Sequence, residues 1–150
     1  MTVDHSPIVS SPSQTASKSH PSALALTILL LGGFITVFDL FVVNVAIPSI
    51  QAGLGASFAE IGFVIAGYEL AFGVLLIAGG RLGDRHGRRR LFALGMAGFA
   101  VTSLLCGLAP DATSLIVARL LQGATGAILF PQVYALLRVM YDDAGRRRAF

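Results

Sequence analysis

The sequence predicts an all-α protein that crosses a membrane four times. Three observations carry that prediction. Four apolar runs are each long enough to span a bilayer; only 13% of residues are charged against 55% hydrophobic, with mean hydropathy +0.77; and the arginines bunch at the ends of the apolar runs. Soluble domains are about a quarter charged, and a chain of 150 residues has no soluble core large enough to hide four such runs from water.

Residues 1–22 are rich in Ser, Thr and Pro and lack apolar periodicity, so they are expected to form a disordered cytoplasmic tail. A cleaved signal peptide does not fit: no basic cluster opens the chain, and the apolar run that follows is too long. The first helix is expected over residues 23–47, broken only by the charge of Asp39 and stopped by Pro48. A hydrocarbon core of ~30 Å needs about 20 residues at ~1.5 Å each, so this run suffices with some tilt. Ser49–Glu60 reads as a short polar loop. Helix two is expected over 59–80, with Glu69 inside it, and helix three over the uncharged run 91–109. Helix four is expected over 113–139, with Arg119 near its start and a kink at Pro131. Residues 140–150 read as a charged cytoplasmic segment.

Between helices two and three lies Gly80–Phe92, G-R-L-G-D-R-H-G-R-R-R-L-F, with five arginines, one aspartate and three glycines. This stretch and the end of helix four hold every arginine but Arg119, whereas the two loops on the other side carry only Glu60 and Asp111. By the positive-inside rule the arginine-rich side, and with it both chain ends, is cytoplasmic. The net charge of +3 and pI near 9.6 would suit nucleic acid in a soluble domain; arginines beside apolar runs point to the lipid surface, and no nucleic-acid partner is expected.

Catalytic and cofactor signatures are absent from the sequence. Cys106 is the single cysteine, which leaves no disulfide framework or Cys-rich metal site, and it reads as a small buried thiol. His5, His20 and His86 lack metal-ligand spacing, so no metal is expected. No nucleophile–base pair appears, and the glycines of 80–92 form neither G-x-G-x-x-G nor a G-K-[ST] phosphate loop. No enzyme and no cofactor is therefore expected.

Three charges lie inside the apolar runs: Asp39, Glu69 and Arg119. Each costs several kcal/mol facing lipid, so each is expected to face protein or a water-filled cavity. Counting inward at ~1.5 Å per residue puts all three roughly 9 to 17 Å below the outer surface. Glu69 shares a helical stripe with Gly62, Ala66, Gly73 and Gly80, small residues that let another helix approach. Arg119 shares one with Gln122, Gly123 and Gly126. Asp39 and Arg119 are expected to interact across helices one and four, with Glu69 as a second protonatable group. The alternative is a static Asp39–Arg119 pair that sets helix register, or an Arg119 that snorkels to the interface.

Three motifs resemble one family. Gly80–Phe92 resembles the loop signature of major facilitator superfamily transporters, roughly G-x-L-x-D-R-x-G-R-R/K, with Gly80, Leu82, Gly83, Asp84, Arg85, Gly87, Arg88 and Arg89 in place. Asp39–Pro48, D-L-F-V-V-N-V-A-I-P, resembles the first-helix signature of the fourteen-helix drug:proton antiporter branch, differing at Phe41. Ala118–Ala127, A-R-L-L-Q-G-A-T-G-A, resembles the fourth-helix motif R-x-x-Q-G-x-G-A-A, differing at Thr125 and Gly126.

The resemblance implies the amino-terminal part of a superfamily helical bundle, with the final R-R-R-A-F entering a missing fifth helix. It further implies that the arginine stretch is a conformational latch between transporter halves, and that Gln122, Gly123, Gly126 and Pro131 pack helix four against its neighbours. Asp39, Glu69 and Arg119 would couple protons to efflux of drugs or other small molecules, driven by the proton gradient. The expected partners are the bilayer, a small-molecule substrate and the carboxyl-terminal helices of the parent transporter. Two other readings are a sugar or metabolite facilitator on the same scaffold and a four-helix membrane assembly or regulatory protein.

Overall fold

A helix in lipid satisfies its backbone internally, so apolar runs of this length have one stable form. The computed structural model describes residues 23–146, with side chains as far as residue 140. The stretch expected to be a disordered tail, 1–22, and residues 147–150 lie outside the described residues. Four α-helices make up the rest: α1 (Ala23–Leu54), α2 (Phe58–His86), α3 (Arg88–Gly107) and α4 (Ala112–Arg146). All four contain a segment long and apolar enough to cross a membrane. The all-α membrane class expected from the sequence is the class observed.

The helices run further than the sequence suggested, for identifiable reasons. Pro48 does not stop α1, which continues through it to Leu54. Proline removes one donor from the ladder, but Ile50 and Leu54 beyond it pack against the buried cluster of Val43, Val64 and Leu115, and that burial holds the last turns. The polar loop expected over Ser49–Glu60 shrinks to three residues, because Ser57 and Glu60 form a capping box that starts α2: the Ser57 amide donates to Glu60 Oε2 at 2.8 Å and the Glu60 amide donates to Ser57 Oγ at 3.3 Å.

The arginine-rich stretch is not a loop either. α2 reaches His86 and α3 opens at Arg88, leaving Gly87 as the only non-helical residue between them. Gly87 makes the turn with φ +93°, which a side chain would oppose, and its amide bonds back to the Gly83 carbonyl at 3.0 Å. Arginine and leucine favour helix in their own right, so a single glycine suffices for the reversal. α3 accordingly begins earlier and ends earlier than expected, at Gly107, and the backbone of α4 stays helical past residue 140 to Arg146 where a charged turn was anticipated.

α4 is the central element. α2 and α3 lie along it for most of their length, and α1 leans on α4 and touches α2 lightly. Its buried positions include the small or polar Ala118, Gln122, Ala127 and Gln132, interleaved with the apolar Leu115, Leu129 and Val133. Many bulky apolar groups point outward, among them Phe34, Phe41, Val45, Phe63, Ile77 and Leu104, while Tyr68, Phe99 and Leu129 fill the centre. That apolar outer surface suits a molecule whose solvent is hydrocarbon, where close packing of small residues helps helices associate.

At the non-arginine end, Asp111 caps α4 by accepting from the Ser114 amide at 2.8 Å. The Ser114 bonds hold the Asp111 carboxyl below its ordinary pKa. Its capping stability is complete above the unfolded-state pKa and is lost as pH falls through the lowered folded value. Amide exchange in the first turn of α4 should therefore accelerate, beyond its intrinsic pH dependence, on acidification from about pH 5 to about pH 2. In Asp111→Ala the same turn should exchange fast at every pH.

Candidate functional site: a buried ion pair among four helices

Several polar side chains of the bundle interior converge at one level. Arg119 of α4 is 3% exposed, and its Nη1 donates to Asp39 Oδ2 of α1 at 2.5 Å. The same nitrogen donates to Gln122 Oε1 at 2.8 Å. Gln122, one turn along α4, also donates through Nε2 to Asp39 Oδ1 at 3.0 Å. Both carboxylate oxygens of Asp39 are thus engaged by α4. A buried charge needs an opposite charge and satisfied lone pairs together, and Gln122 supplies part of that second requirement.

α2 and α3 complete the enclosure. The Arg119 guanidinium carbon lies 4.3 Å from the centroid of the Tyr68 ring, within cation–π range. The Tyr68 hydroxyl donates to the Thr36 carbonyl of α1 at 3.4 Å, and the Cys106 thiol of α3 donates to Gln122 Oε1 at 3.3 Å. The Arg119 Nε is buried without a hydrogen-bond partner. One side of the ion pair borders a cleft of about 420 Å³. Its walls come from the halves of α1, α3 and α4 remote from the arginine-rich turn, chiefly apolar, with Ser103 and Cys106 on the α3 side.

Close backbone approach brings these groups together. The Tyr68 carbonyl presses on the α-carbon of Gly123, where any Cβ would collide with it. At Gly126 a Cβ would sit 3.2 Å from the Tyr68 hydroxyl and 3.4 Å from Phe72. Glycines at 123 and 126 let α2 ride against α4, so Tyr68 covers the Arg119 guanidinium instead of being held off from it.

Glu69 does not join this cluster. It follows Tyr68 by one residue, about 100° around the helix, and is exposed. No hydrogen bond or ion pair of its side chain occurs among the described residues. Gly62, Ala66 and Gly73 of its stripe are exposed as well, so most of the face expected to meet a helix is open, and Gly80 at its end lies near Pro131 of α4. Asp39 and Arg119 meet as the spacing suggested; Glu69 stands apart.

The residues expected to form a latch sit at the end of α2 and the start of α3, away from the ion pair. Arg88 donates to Asp84 at 2.8 Å across the Gly87 turn, an exposed pair worth about 0.5 kcal/mol. Arg85 and Arg89 are exposed, Gly83 is buried, and Gly80 lies near Pro131. Tyr68 and Gln132 were not singled out from the sequence, whereas Thr36 was expected one turn from Asp39 on a face suited to helix contact. A tyrosine in mid-membrane, needing a partner for its hydroxyl, was the signal available for the first. Cys106 was read only as a buried thiol, whereas it is partly exposed and bonded to Gln122.

Residues 29–150 match the Major Facilitator Superfamily. The chain belongs to that family. Over 122 residues it is 46% identical to the puromycin resistance protein pur8 of Streptomyces alboniger, covering 81% of this chain and 24% of that protein. It is 41% identical to a probable actinorhodin transporter of Streptomyces coelicolor over 142 residues, 93% of this chain and 25% of the relative. Identity to the cephamycin export protein CmcT of Amycolatopsis lactamdurans is 44% over 131 residues, 87% of this chain and 27% of the relative. The chain therefore spans about a quarter of the length of these superfamily relatives. It is a multi-pass membrane protein of the superfamily.

The ion pair gives a direct stability test. Asp39→Ala strands a buried guanidinium and should destabilise the fold by about 3 to 5 kcal/mol, read by unfolding in mixed detergent micelles. Replacing both partners, Asp39→Asn with Arg119→Leu, should cost clearly less than Asp39→Ala alone.

Proposed function

We propose that this chain is the amino-terminal, four-helix part of a proton-coupled exporter of drugs or other small molecules, lying in the cell membrane with its arginine-rich end cytoplasmic. The observation that carries the proposal is the Asp39–Arg119–Gln122 cluster, an ionisable pair enclosed by four bilayer-length helices and bordering a cleft. The relatives named for resistance and export supply the substrate class.

Asp39 is the group suited to carry the proton. Ionised, it holds Arg119 and Gln122 through both carboxylate oxygens. Protonation removes its charge and one acceptor position, which releases the guanidinium to seek another partner. A substrate entering the cleft meets that freed donor, so proton and substrate compete for one set of bonds. Glu69 is a second protonatable group within the bilayer span, facing what the remaining helices of the transporter would cover.

A second reading is favoured by Gln122: because it bonds both members of the pair, the triad could be a static device that sets the register of α1 on α4. Efflux from proteoliposomes by the product of the complete reading frame separates the two. Asp39→Asn should lower pH-gradient-driven efflux by about tenfold or more while leaving the protein inserted. If Asp39→Asn and Glu69→Gln both retain gradient dependence, the proton role is wrong and the static reading stands.

Orientation is checked separately. In a Cys106→Ala background, a cysteine at His86 should react with an impermeant maleimide only from the cytosol, and one at Asp111 only from outside. The reverse pattern would invert the topology.

A further inference from the structure

Beyond the ion pair, one buried polar side chain ties two helices together where both backbones are exceptional. Pro131 lies inside α4 and supplies no amide hydrogen to the carbonyl one turn back, that of Ala127. This carbonyl is pressed onto the α-carbon of Gly79 in α2, where a Cβ would collide with it. Such an approach suits a weak Cα–H···O contact in place of the missing helical bond.

The next residue, Gln132, is 1% exposed. Its Nε2 donates across the interface to the Gly79 carbonyl at 2.9 Å and back to the Ile128 carbonyl of its own helix at 3.1 Å. Its carboxamide lies on the bare α-carbon of Gly83, where any side chain would displace it. Both amide hydrogens are used, one on each helix. The residue after Gly83 is Asp84, the start of the Asp84–Arg88 pair.

We propose that Gln132 is a positioning residue that clamps the arginine-bearing end of α2 to α4 across the proline break. A bend of α4 at Pro131 is thereby passed to Gly80–Phe92. Without the clamp, the two segments of α4 on either side of Pro131 could move while that end of α2 stayed behind. The clamp stands on the packing itself; its consequence for transport rests on the exporter reading.

The test uses the product of the complete reading frame in lipid nanodiscs. Two variants are compared: Gln132→Leu, which keeps bulk and loses the amide, and Gln132→Glu, which keeps the shape and donates only when protonated. Hydrogen exchange over residues 80–90, corrected for intrinsic rates, should be about tenfold faster in Gln132→Leu, with residues 59–70 unchanged. Gln132→Glu should be protected at low pH and lose that protection as pH rises. Unchanged exchange over 80–90 in Gln132→Leu overturns the clamp. Should Gln132→Leu fail to fold, a Gln132→Glu variant whose relative exchange is flat with pH overturns it instead.

In liposomes, Gln132→Leu should lower the maximal efflux rate by about tenfold with KM unchanged, since no substrate-facing group is altered. Faster exchange with an unaltered efflux rate overturns the positioning role. A wild-type protein that exports none of a panel of lipophilic antibiotics defeats the exporter reading, and the exchange measurement still decides the clamp.

Discussion

An arginine placed inside a hydrocarbon-bounded bundle constrains everything around it. Arg119 is almost wholly enclosed, and the cost of an unanswered charge there is several kcal/mol. Asp39 has to reach it from α1, Gln122 has to occupy the remaining carboxylate position, and α2 has to lie close enough for the Tyr68 ring to cover the guanidinium. Each demand falls on a different helix. One cation thereby sets the mutual register of α1, α2 and α4, in a solvent that gives helices little other reason to choose a register.

Small residues make that arrangement geometrically possible. α4 is lined where it meets α2 by Gly123, Gly126 and Ala127, and α2 answers with Gly79 and Gly83. The two backbones touch at both ends of the contact: near Tyr68, beside the ion pair, and near Gln132, beside the arginine-rich turn. Pro131 lies between the ion-pair end of α4 and the end beside the arginine-rich turn, where it removes one bond from the helical ladder.

Much of the fold was legible from residue type alone, and the reasons are local. Apolar runs longer than a bilayer is thick specify helices, because lipid offers the backbone no other partner. The end points were legible less well. Pro48 reads as a stop, yet Ile50 and Leu54 find buried neighbours beyond it; Gly80–Phe92 reads as a loop, yet only Gly87 leaves the helix. In both cases packing or intrinsic helix preference outweighed a local breaker, and neither outcome is contained in the breaker itself.

The same division holds at the site. Sequence spacing determined that Asp39 and Arg119 lie at one depth and that the glycines of α4 form a stripe, since both follow from a rise and a period common to every helix. The identity of the family followed from motif residues that are likewise contiguous. Tertiary structure alone decided that Gln122 bonds both ions, that Tyr68 rather than Glu69 faces the pair, and that Gln132 joins α4 to α2 past Pro131. Those are matters of which faces of separate helices meet. Rotation about a helix axis is set by side chains many residues apart, and no periodicity within one helix records it.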